Sequence, residues 1–105
     1  MSNKIIITMG DPIGIGPEVM IKALNRIDLH PSKAIILGSK DVLNAYETKL
    51  GLSLNNNYEF YDINGGASNG RFCYECLKTA CELLKSGNGK AIVTGPISKK
   101  SLNKA

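Results

Sequence analysis

The residues with the clearest chemical potential form a glycine-rich segment near the start of the chain, Gly10-Asp11-Pro12-Ile13-Gly14-Ile15-Gly16-Pro17-Glu18. Its glycines allow a sharp turn and a close approach of the backbone to a ligand. If a helix follows, its first N–H groups can bind an anion. The segment lacks the third glycine of a G-x-G-x-x-G motif and the Gly-Lys-Ser/Thr of a P-loop. It therefore predicts either a ligand-binding loop or a tight turn without a ligand.

A second segment of this kind lies near the end of the chain, Val93-Thr94-Gly95-Pro96-Ile97-Ser98-Lys99. Serine, lysine and the N–H groups of a helix N-terminus are suitable partners for a phosphate monoester. The alternative is that Ser98 only caps the helix and that Lys99 is a solvated surface lysine. Spacing alone leaves both interpretations open.

Other residues of chemically useful types are predicted to be structural. Cys73 and Cys76 form a C-x-x-C pair, but they lie inside a helical pattern and not at its N-terminus, where a redox thiolate is stabilised. No second ligand pair accompanies them, and His30 is the sole histidine, so no metal site can be assembled from this chain. Arg71 is expected to decorate the first turn of a helix, with anion binding as the alternative.

The elements that must position these segments alternate along the chain. Strands are predicted at residues 4–8, 33–37, 58–63 and 91–94, and helices at 17–27, 39–50, 68–85 and 98–105. All strands except the outer third one are predicted to be buried. This order indicates a three-layer α/β fold, in which helices cover both faces of a mainly parallel sheet. Ligands in such folds bind outside the carboxyl ends of the strands, where both glycine-rich segments lie.

Apolar spacing predicts which helix faces are buried. In the first helix the predicted core residues are Val19, Met20, Ala23, Leu24 and Ile27. In the third they are Cys73, Cys76, Leu77, Ala80, Leu83 and Leu84. Pro17 is predicted in the first helical turn, Ser39 as the N-cap of the second helix and Gly51 as the residue that ends it. The fourth helical pattern stops without a C-cap, which indicates truncation.

Composition narrows the class of protein. The chain has 105 residues, with 43% hydrophobic and 21% charged residues, which is typical of one folded, soluble domain. The net charge of +4 comes from scattered basic residues, so a nucleic-acid surface is not expected. The apolar runs are too short to cross a membrane. Three cysteines, an odd number, favour reduced thiols and a cytoplasmic location.

Taken as complete sequence strings, the two segments indicate a protein family much more specifically than their glycine spacing does. Thr8-Met9-Gly10-Asp11-Pro12-x-Gly14-Ile15-Gly16-Pro17-Glu18 resembles the opening signature of the 4-hydroxythreonine-4-phosphate dehydrogenases. The related isocitrate and isopropylmalate dehydrogenases carry a shorter Gly-Asp-Gly-Ile-Gly-Pro-Glu string at this place. The second segment resembles the Val-Thr-Ala/Gly-Pro-Ile-Asn/Ser-Lys signature of the same family, at the right distance. The resemblance covers nearly the whole chain.

The resemblance implies an isocitrate/isopropylmalate dehydrogenase-like fold, of which residues 1–105 are the N-terminal part. It implies NAD-dependent oxidation of 4-phosphohydroxy-L-threonine, with decarboxylation to 3-amino-2-oxopropyl phosphate, in pyridoxal 5'-phosphate synthesis. The family uses a divalent metal (Zn, Mg or Co), held by histidines later in the sequence at the subunit interface of a homodimer. On its own, this chain is expected to be inactive.

Residue by residue, the resemblance places Gly10, Asp11, Gly14, Gly16, Ser98 and Lys99 in the substrate or cofactor cleft. It assigns no metal ligand and no general base to this chain. Two alternatives stay open. One is a paralogous dehydrogenase acting on phosphorylated four-carbon sugar acids, such as phosphothreonate or phosphoerythronate. The other is a phosphate-binding module without catalysis.

Overall fold

The computed structural model describes residues 3–12, 14–55, 57–63 and 68–95. Strands and helices alternate along these residues, as the apolar patterns predict. The strands are β1 (Ile5–Thr8), β2 (Ala34–Gly38), β3 (Glu59–Asp62) and β4 (Ala91–Thr94). The helices are α1 (Gly16–Arg26), α2 (Lys40–Leu50) and α3 (Asn69–Lys85), with a 3₁₀ turn at Pro31–Lys33.

The described strands form a parallel sheet in the order β3-β2-β1-β4. β1 lies in the interior of the sheet and pairs with β2 on one side and β4 on the other. In this register Ile7 lies between Ile36 and Val93, and Thr8 lies between Leu37 and Thr94. The first strand of the chain is therefore the one that joins both halves of the described sheet.

Helices α1 and α2 cover one face of the sheet, called the α1/α2 face below. Its core consists of Met9, Met20, Ile21, Leu24, Ala34, Ile36, Leu43 and Tyr58, with Ile7 and Phe60 packed against it. The hydroxyl group of Tyr58 donates a hydrogen bond of 3.1 Å to the carbonyl oxygen of Leu29. This bond satisfies the polar end of a ring that is otherwise buried.

Helix α3 covers the opposite face, called the α3 face below. Ile6, Ile35 and Leu37 of the sheet pack there against Ala80 of α3. Phe72, Cys73 and Cys76 form an adjoining cluster near the N-terminal half of α3. Because both faces carry helices, the predicted three-layer arrangement is confirmed.

The predicted buried face of α1 is only partly correct. Met20 and Leu24 are buried as expected, but Val19, Ala23 and Ile27 are exposed, and Ile21 is fully buried instead. The buried positions 17, 20, 21 and 24 have a spacing of three, one and three residues, which is one helix face. The packing of α1 against the sheet determines which face of the helix is buried. The apolar pattern of the sequence alone is compatible with two overlapping faces.

Two further burial predictions are wrong. Strand β4 was predicted to be buried, yet Ala91, Val93 and Thr94 are exposed. The reason is that β4 is an edge of the described sheet, and the core residues of α1 and α2 pack against β1 and β2. Leu84, predicted on the core stripe of α3, is also exposed, whereas Leu83 in the same last turn packs against the core of the α3 face.

The predicted helix ends are confirmed. Ser39 accepts a hydrogen bond of 3.3 Å from the N–H of Val42 and caps α2, and Gly51 ends that helix with a left-handed φ of 67°. Pro17 lies in the first turn of α1. The predicted Asn64-Gly65-Gly66 turn and the helix at 98–105 lie outside the described residues. In the described part of the chain, no helix is long and apolar enough to cross a membrane.

The sheet core should dominate stability. Leu37→Ala removes a fully buried side chain of β2 from the core of the α3 face and should lower the free energy of unfolding by about 2–5 kcal/mol. Leu84→Ala, the control on the exposed end of α3, should change it by about 0.5 kcal/mol or less. Urea unfolding followed by circular dichroism measures both, and equal losses would contradict the assigned core.

Candidate functional site

The candidate site lies at the edge of the sheet where the parallel strands end. Thr8, Gly38, Asp62 and Thr94 are the last residues of the described strands, and they lie together at one edge of the parallel sheet. The loop after β1 carries the first glycine-rich segment, and the second begins within β4 and continues through Gly95. The topology therefore brings the two segments together, as their position in the sequence predicts.

The loop after β1 is built by backbone constraints. The N–H of Met9 donates to the carbonyl oxygen of Leu37 at 2.9 Å and extends the pairing of β1 with β2 by one residue. Gly10 then adopts a φ of 85°, which side-chain-bearing residues rarely tolerate, and turns the chain out of the sheet. A hydrogen bond of 3.2 Å from the N–H of Gly14 to the carbonyl oxygen of Asp11 closes the following turn.

The carbonyl group of Met9 is the point at which the two segments meet. A Cβ atom added to Gly16 would lie 2.5 Å from the Met9 carbonyl oxygen, and one added to Gly95 would lie at the same distance. The N–H of Gly95 also donates to the carbonyl oxygen of Thr8 at 2.9 Å. Gly16 at the start of α1 and Gly95 after β4 thus pack directly against the same peptide group, which leaves no room for a side chain at either position.

The start of α1 has the features of an anion-binding helix terminus. Its N-cap, Ile15, makes no side-chain capping bond, whereas Ser39 caps α2 and Ser68 accepts a bond of 3.1 Å from the N–H of Arg71 at the start of α3. At α2, the carboxylate of Asp62 also accepts a bond of 2.9 Å from the N–H of Lys40. The first N–H groups of α1 can therefore take an external acceptor, which the helix dipole favours to be negative.

The first turn of α1 carries an acidic side chain that is held in an ion pair. Glu18 in the first turn forms an ion pair of 2.7 Å with Lys22. The hydrogen bond from Lys22 and its positive charge hold the pKa of Glu18 below its ordinary value. Glu18 therefore stays ionised close to the helix N-terminus, where its charge is favourable.

A tyrosine from a distant part of the sequence supports the first loop. The hydroxyl group of Tyr46, on α2, donates a hydrogen bond of 3.3 Å to the carbonyl oxygen of Gly14. Sequence reasoning did not identify Tyr46, because 32 residues separate it from Gly14 and no local pattern marks it. The bond links the candidate site to the helix that follows β2.

Two polar side chains are buried where β1 meets its loop. Asp11 is 5% exposed, and Thr8 is 1% exposed with no hydrogen-bond partner for its hydroxyl group among the described residues. The thiol of Cys73 lies close enough to feel this carboxyl group: burial, and after it the charge of Asp11, raises its pKa. Asp11 thus belongs to the base of the loop, beneath α3.

The cysteines behave as structural thiols, as predicted. Cys73 and Cys76 are buried on the inner face of α3, and Cys81 is exposed. Burial raises the pKa of Cys76 to about 12, which is the opposite of what a redox-active thiol requires. Within the described residues, no group of three or more His, Cys, Asp or Glu side chains could hold a metal ion.

Arg71 and His30 are also engaged locally. The guanidinium group of Arg71 pairs with Glu75 at 3.0 Å, one turn along α3, and lies over the ring of Tyr74. The exposed His30 accepts a bond of 3.1 Å from the N–H of Ser32 and so caps the 3₁₀ turn. Both positions match the structural interpretation of these residues.

The structure thus brings four of the predicted cleft residues, Gly10, Asp11, Gly14 and Gly16, into one loop at the expected edge of the sheet. Their role in ligand binding stays a prediction. The other two, Ser98 and Lys99, lie outside the described residues. The first residue of their segment's turn, Gly95, is in contact with the loop through Met9.

Comparison with known proteins gives consistent results. The model of the family described as "Pyridoxal phosphate biosynthetic protein PdxA" matches residues 15–105. The D-threonate 4-phosphate dehydrogenase of Salmonella typhimurium is 29% identical, over 99% of this chain and 40% of its own length. The 4-hydroxythreonine-4-phosphate dehydrogenase of a Sulfurihydrogenibium species is 30% identical, over 91% of this chain and 36% of its own length.

A solved structure shows the same fold. The 4-hydroxythreonine-4-phosphate dehydrogenase of Burkholderia phymatum superposes with a TM-score of 0.83 at 26% identity, over 98% of this chain and 39% of that one. The chain therefore spans about two fifths of the length of the proteins it matches. The described sheet, its helices and both glycine-rich segments fall within that shared part.

The contact at Met9 predicts a sharp difference between two glycines of one loop. Gly16→Ala places a methyl group against the Met9 carbonyl oxygen and should cost about 1–3 kcal/mol of unfolding free energy, despite the better helix propensity of alanine. Gly14→Ala, whose added Cβ would lie 3.5 Å from the nearest atom, should cost about 0.5 kcal/mol or less. Chemical denaturation of both variants tests this, and an equal or reversed order would refute the contact.

The thiols should differ strongly in reactivity. In the native chain at pH 8, iodoacetamide should modify Cys81 first, because Cys73 and Cys76 are buried and burial raises the pKa of both thiols, which lowers their thiolate fractions. In urea all three should react at similar rates. Peptide mass spectrometry of time points measures this, and rapid native labelling of Cys76 would contradict the assigned packing of α3.

Proposed function

Because this chain belongs to the PdxA family, we propose that it forms the N-terminal part of an NAD-dependent dehydrogenase. The substrate proposed is 4-phosphohydroxy-L-threonine, which is oxidised at its hydroxyl-bearing carbon and then loses carbon dioxide to give 3-amino-2-oxopropyl phosphate. The observation that carries the proposal is the junction of the two family segments at the Met9 carbonyl group, on the edge of the sheet where α/β folds bind ligands.

The part of the site formed by this chain suits an anionic group. The N-terminus of α1 has no side-chain cap, and Gly16 holds it tightly against the end of β1. A phosphate or carboxylate group placed there would accept hydrogen bonds from the backbone and gain from the helix dipole. Ser98 and Lys99, which follow the adjoining turn in sequence, are proposed to complete this side of the cleft.

The NAD-binding and metal-binding parts of the proposed active site are expected outside the described residues. NAD, when bound, accepts the hydride from the substrate carbon. The described residues do not fit a divalent metal, because no cluster of His, Cys, Asp or Glu side chains is present among them. The metal and its ligands are proposed to belong to the rest of a homodimeric enzyme, with the active site at the subunit interface.

A second candidate substrate is a phosphorylated four-carbon sugar acid. Several relatives of this chain, among them the Salmonella typhimurium protein, are named D-threonate 4-phosphate dehydrogenases. Both substrates carry a phosphate and a hydroxyl group next to a carboxylate-bearing carbon, and they differ in the amine. The backbone N–H groups that the start of α1 offers to a ligand do not distinguish an amine from a hydroxyl group.

Comparison of NADH formation from the two candidate substrates tests the proposed function. The longest protein produced from the gene that encodes this chain should form NADH from 4-phosphohydroxy-L-threonine, with a kcat/KM at least about tenfold above that for D-threonate 4-phosphate. The 105-residue chain, purified alone, should form none. The reverse preference would assign the sugar-acid function, and turnover of neither substrate would remove the dehydrogenase proposal.

A further inference from the structure

Gly14 lies at a point of the loop after β1 where steric contacts do little to hold the chain. A Cβ atom added there would lie 3.5 Å from its nearest neighbour, whereas one added to Gly16 would lie 2.5 Å from the Met9 carbonyl oxygen. The N–H of Gly14 bonds within the loop, to the carbonyl oxygen of Asp11 at 3.2 Å. Because glycine loses more conformational freedom on folding than other residues, a fixed orientation of its peptide group needs a contact from outside the loop.

Helix α2 supplies this outside contact through Tyr46. Its hydroxyl group donates a hydrogen bond of 3.3 Å to the carbonyl oxygen of Gly14. The glycine is therefore held through both of its backbone polar groups, the N–H by Asp11 of the same loop and the carbonyl group by a side chain of a different element. A single phenol oxygen thus links the loop to α2.

The ring of Tyr46 is itself held in place. It is partly buried and packs against the core of the α1/α2 face. The ammonium group of Lys49, about one turn further along α2, lies 5.5 Å from the centre of the ring, and its charge also acts on Glu18 in the first turn of α1. Because these contacts restrict the rotamers of the ring, its hydroxyl group is presented to the loop with little further loss of side-chain entropy.

The helix that carries this tyrosine is anchored at both ends. At its start, the N–H of Lys40 donates a hydrogen bond of 2.9 Å to the carboxylate of Asp62, the last residue of β3. Near its end, the carboxylate of Glu47 accepts a bond of 2.6 Å from the N–H of Leu54. Between these points Leu43 is buried in the core of the α1/α2 face. The helix is therefore fixed to the sheet, and the tyrosine extends this fixed structure to the loop.

We propose that Tyr46 is a positioning residue, whose hydrogen bond to the Gly14 carbonyl group holds the loop from Gly10 to Gly16 in the conformation that lines the substrate side of the cleft. The inference rests on the proposed function, which places this loop in the cleft. The hydroxyl group acts through the Gly14 peptide group, so it contributes to substrate binding and not to the chemical step. Without it, the substrate must order the loop on binding, which lowers affinity.

Steady-state kinetics of Tyr46→Phe test the proposal, because this change removes one hydroxyl group and keeps the ring. The variant is made in the longest protein produced from the gene that encodes this chain. The KM for the phosphorylated substrate should rise by about threefold to tenfold, as expected for the loss of one ordinary hydrogen bond. Both kcat and the KM for NAD should stay within about twofold of the unmodified protein.

Tyr58→Phe is the matched control. It removes the same atom from a tyrosine that also donates to a backbone carbonyl group, that of Leu29 at 3.1 Å, but at the opposite edge of the sheet, where β2 and β3 begin. It should lower the melting temperature and leave the KM for the substrate unchanged, because a loss of folded enzyme reduces the apparent kcat and not KM. An unchanged substrate KM in Tyr46→Phe, an equal rise in Tyr58→Phe, or a rise confined to the KM for NAD would overturn the proposal.

Hydrogen exchange of the same proteins separates this inference from the proposed function. The amide of Gly14 should exchange at least about threefold faster in Tyr46→Phe than in the unmodified protein, and at the unmodified rate in Tyr58→Phe. Unchanged exchange in Tyr46→Phe would overturn the inference even in an active enzyme. If the unmodified protein turns over neither candidate substrate, the proposed function fails, and faster exchange in Tyr46→Phe would then leave Tyr46 with a structural role alone.

Discussion

The carbonyl group of Met9 is the contact on which the candidate site depends. It lies one residue beyond the end of β1, and both Gly16 in the first turn of α1 and Gly95 after β4 pack against it without an intervening side chain. Residues almost 80 positions apart in the sequence thus share one peptide group. Because backbone contacts of this kind have no side-chain rotamers to adjust, they fix the relative position of the two loops more tightly than side-chain packing would.

The central place of β1 gives this contact its stability. Ile6 and Ile7 alternate between the two covered faces, and β2 and β4 flank the strand. The loop that leaves β1 is therefore anchored to the most constrained strand of the described sheet. Tyr46 adds a bond from α2 to the same loop, so both helices of the α1/α2 face contribute to its position. A rigid loop of this kind suits a site in which backbone N–H groups must meet an anion at fixed distances.

The two edges of the described sheet differ in how well their apolar residues are covered. The β3 edge carries charged residues, and the helices over β1 and β2 close the core, whereas β4 and the adjoining flank of α1 leave apolar groups uncovered. Within the described residues, no group of three or more His, Cys, Asp or Glu side chains could hold a metal ion. The chain spans about two fifths of the length of the relatives that it matches.

The sequence by itself determined the alternation of strands and helices, the parallel sheet, the caps at Ser39 and Gly51, and the loop that carries Gly10 to Gly16. These features rest on local physics: periodicity, β-branching and the backbone needs of turns. Only the tertiary structure decided that Ile21 and not Val19 faces the core, that β4 is an exposed edge, and that Gly16 and Gly95 share the Met9 carbonyl group. Burial of a side chain depends on which elements pack against it, and a contact between residues far apart in the sequence produces no local sequence pattern.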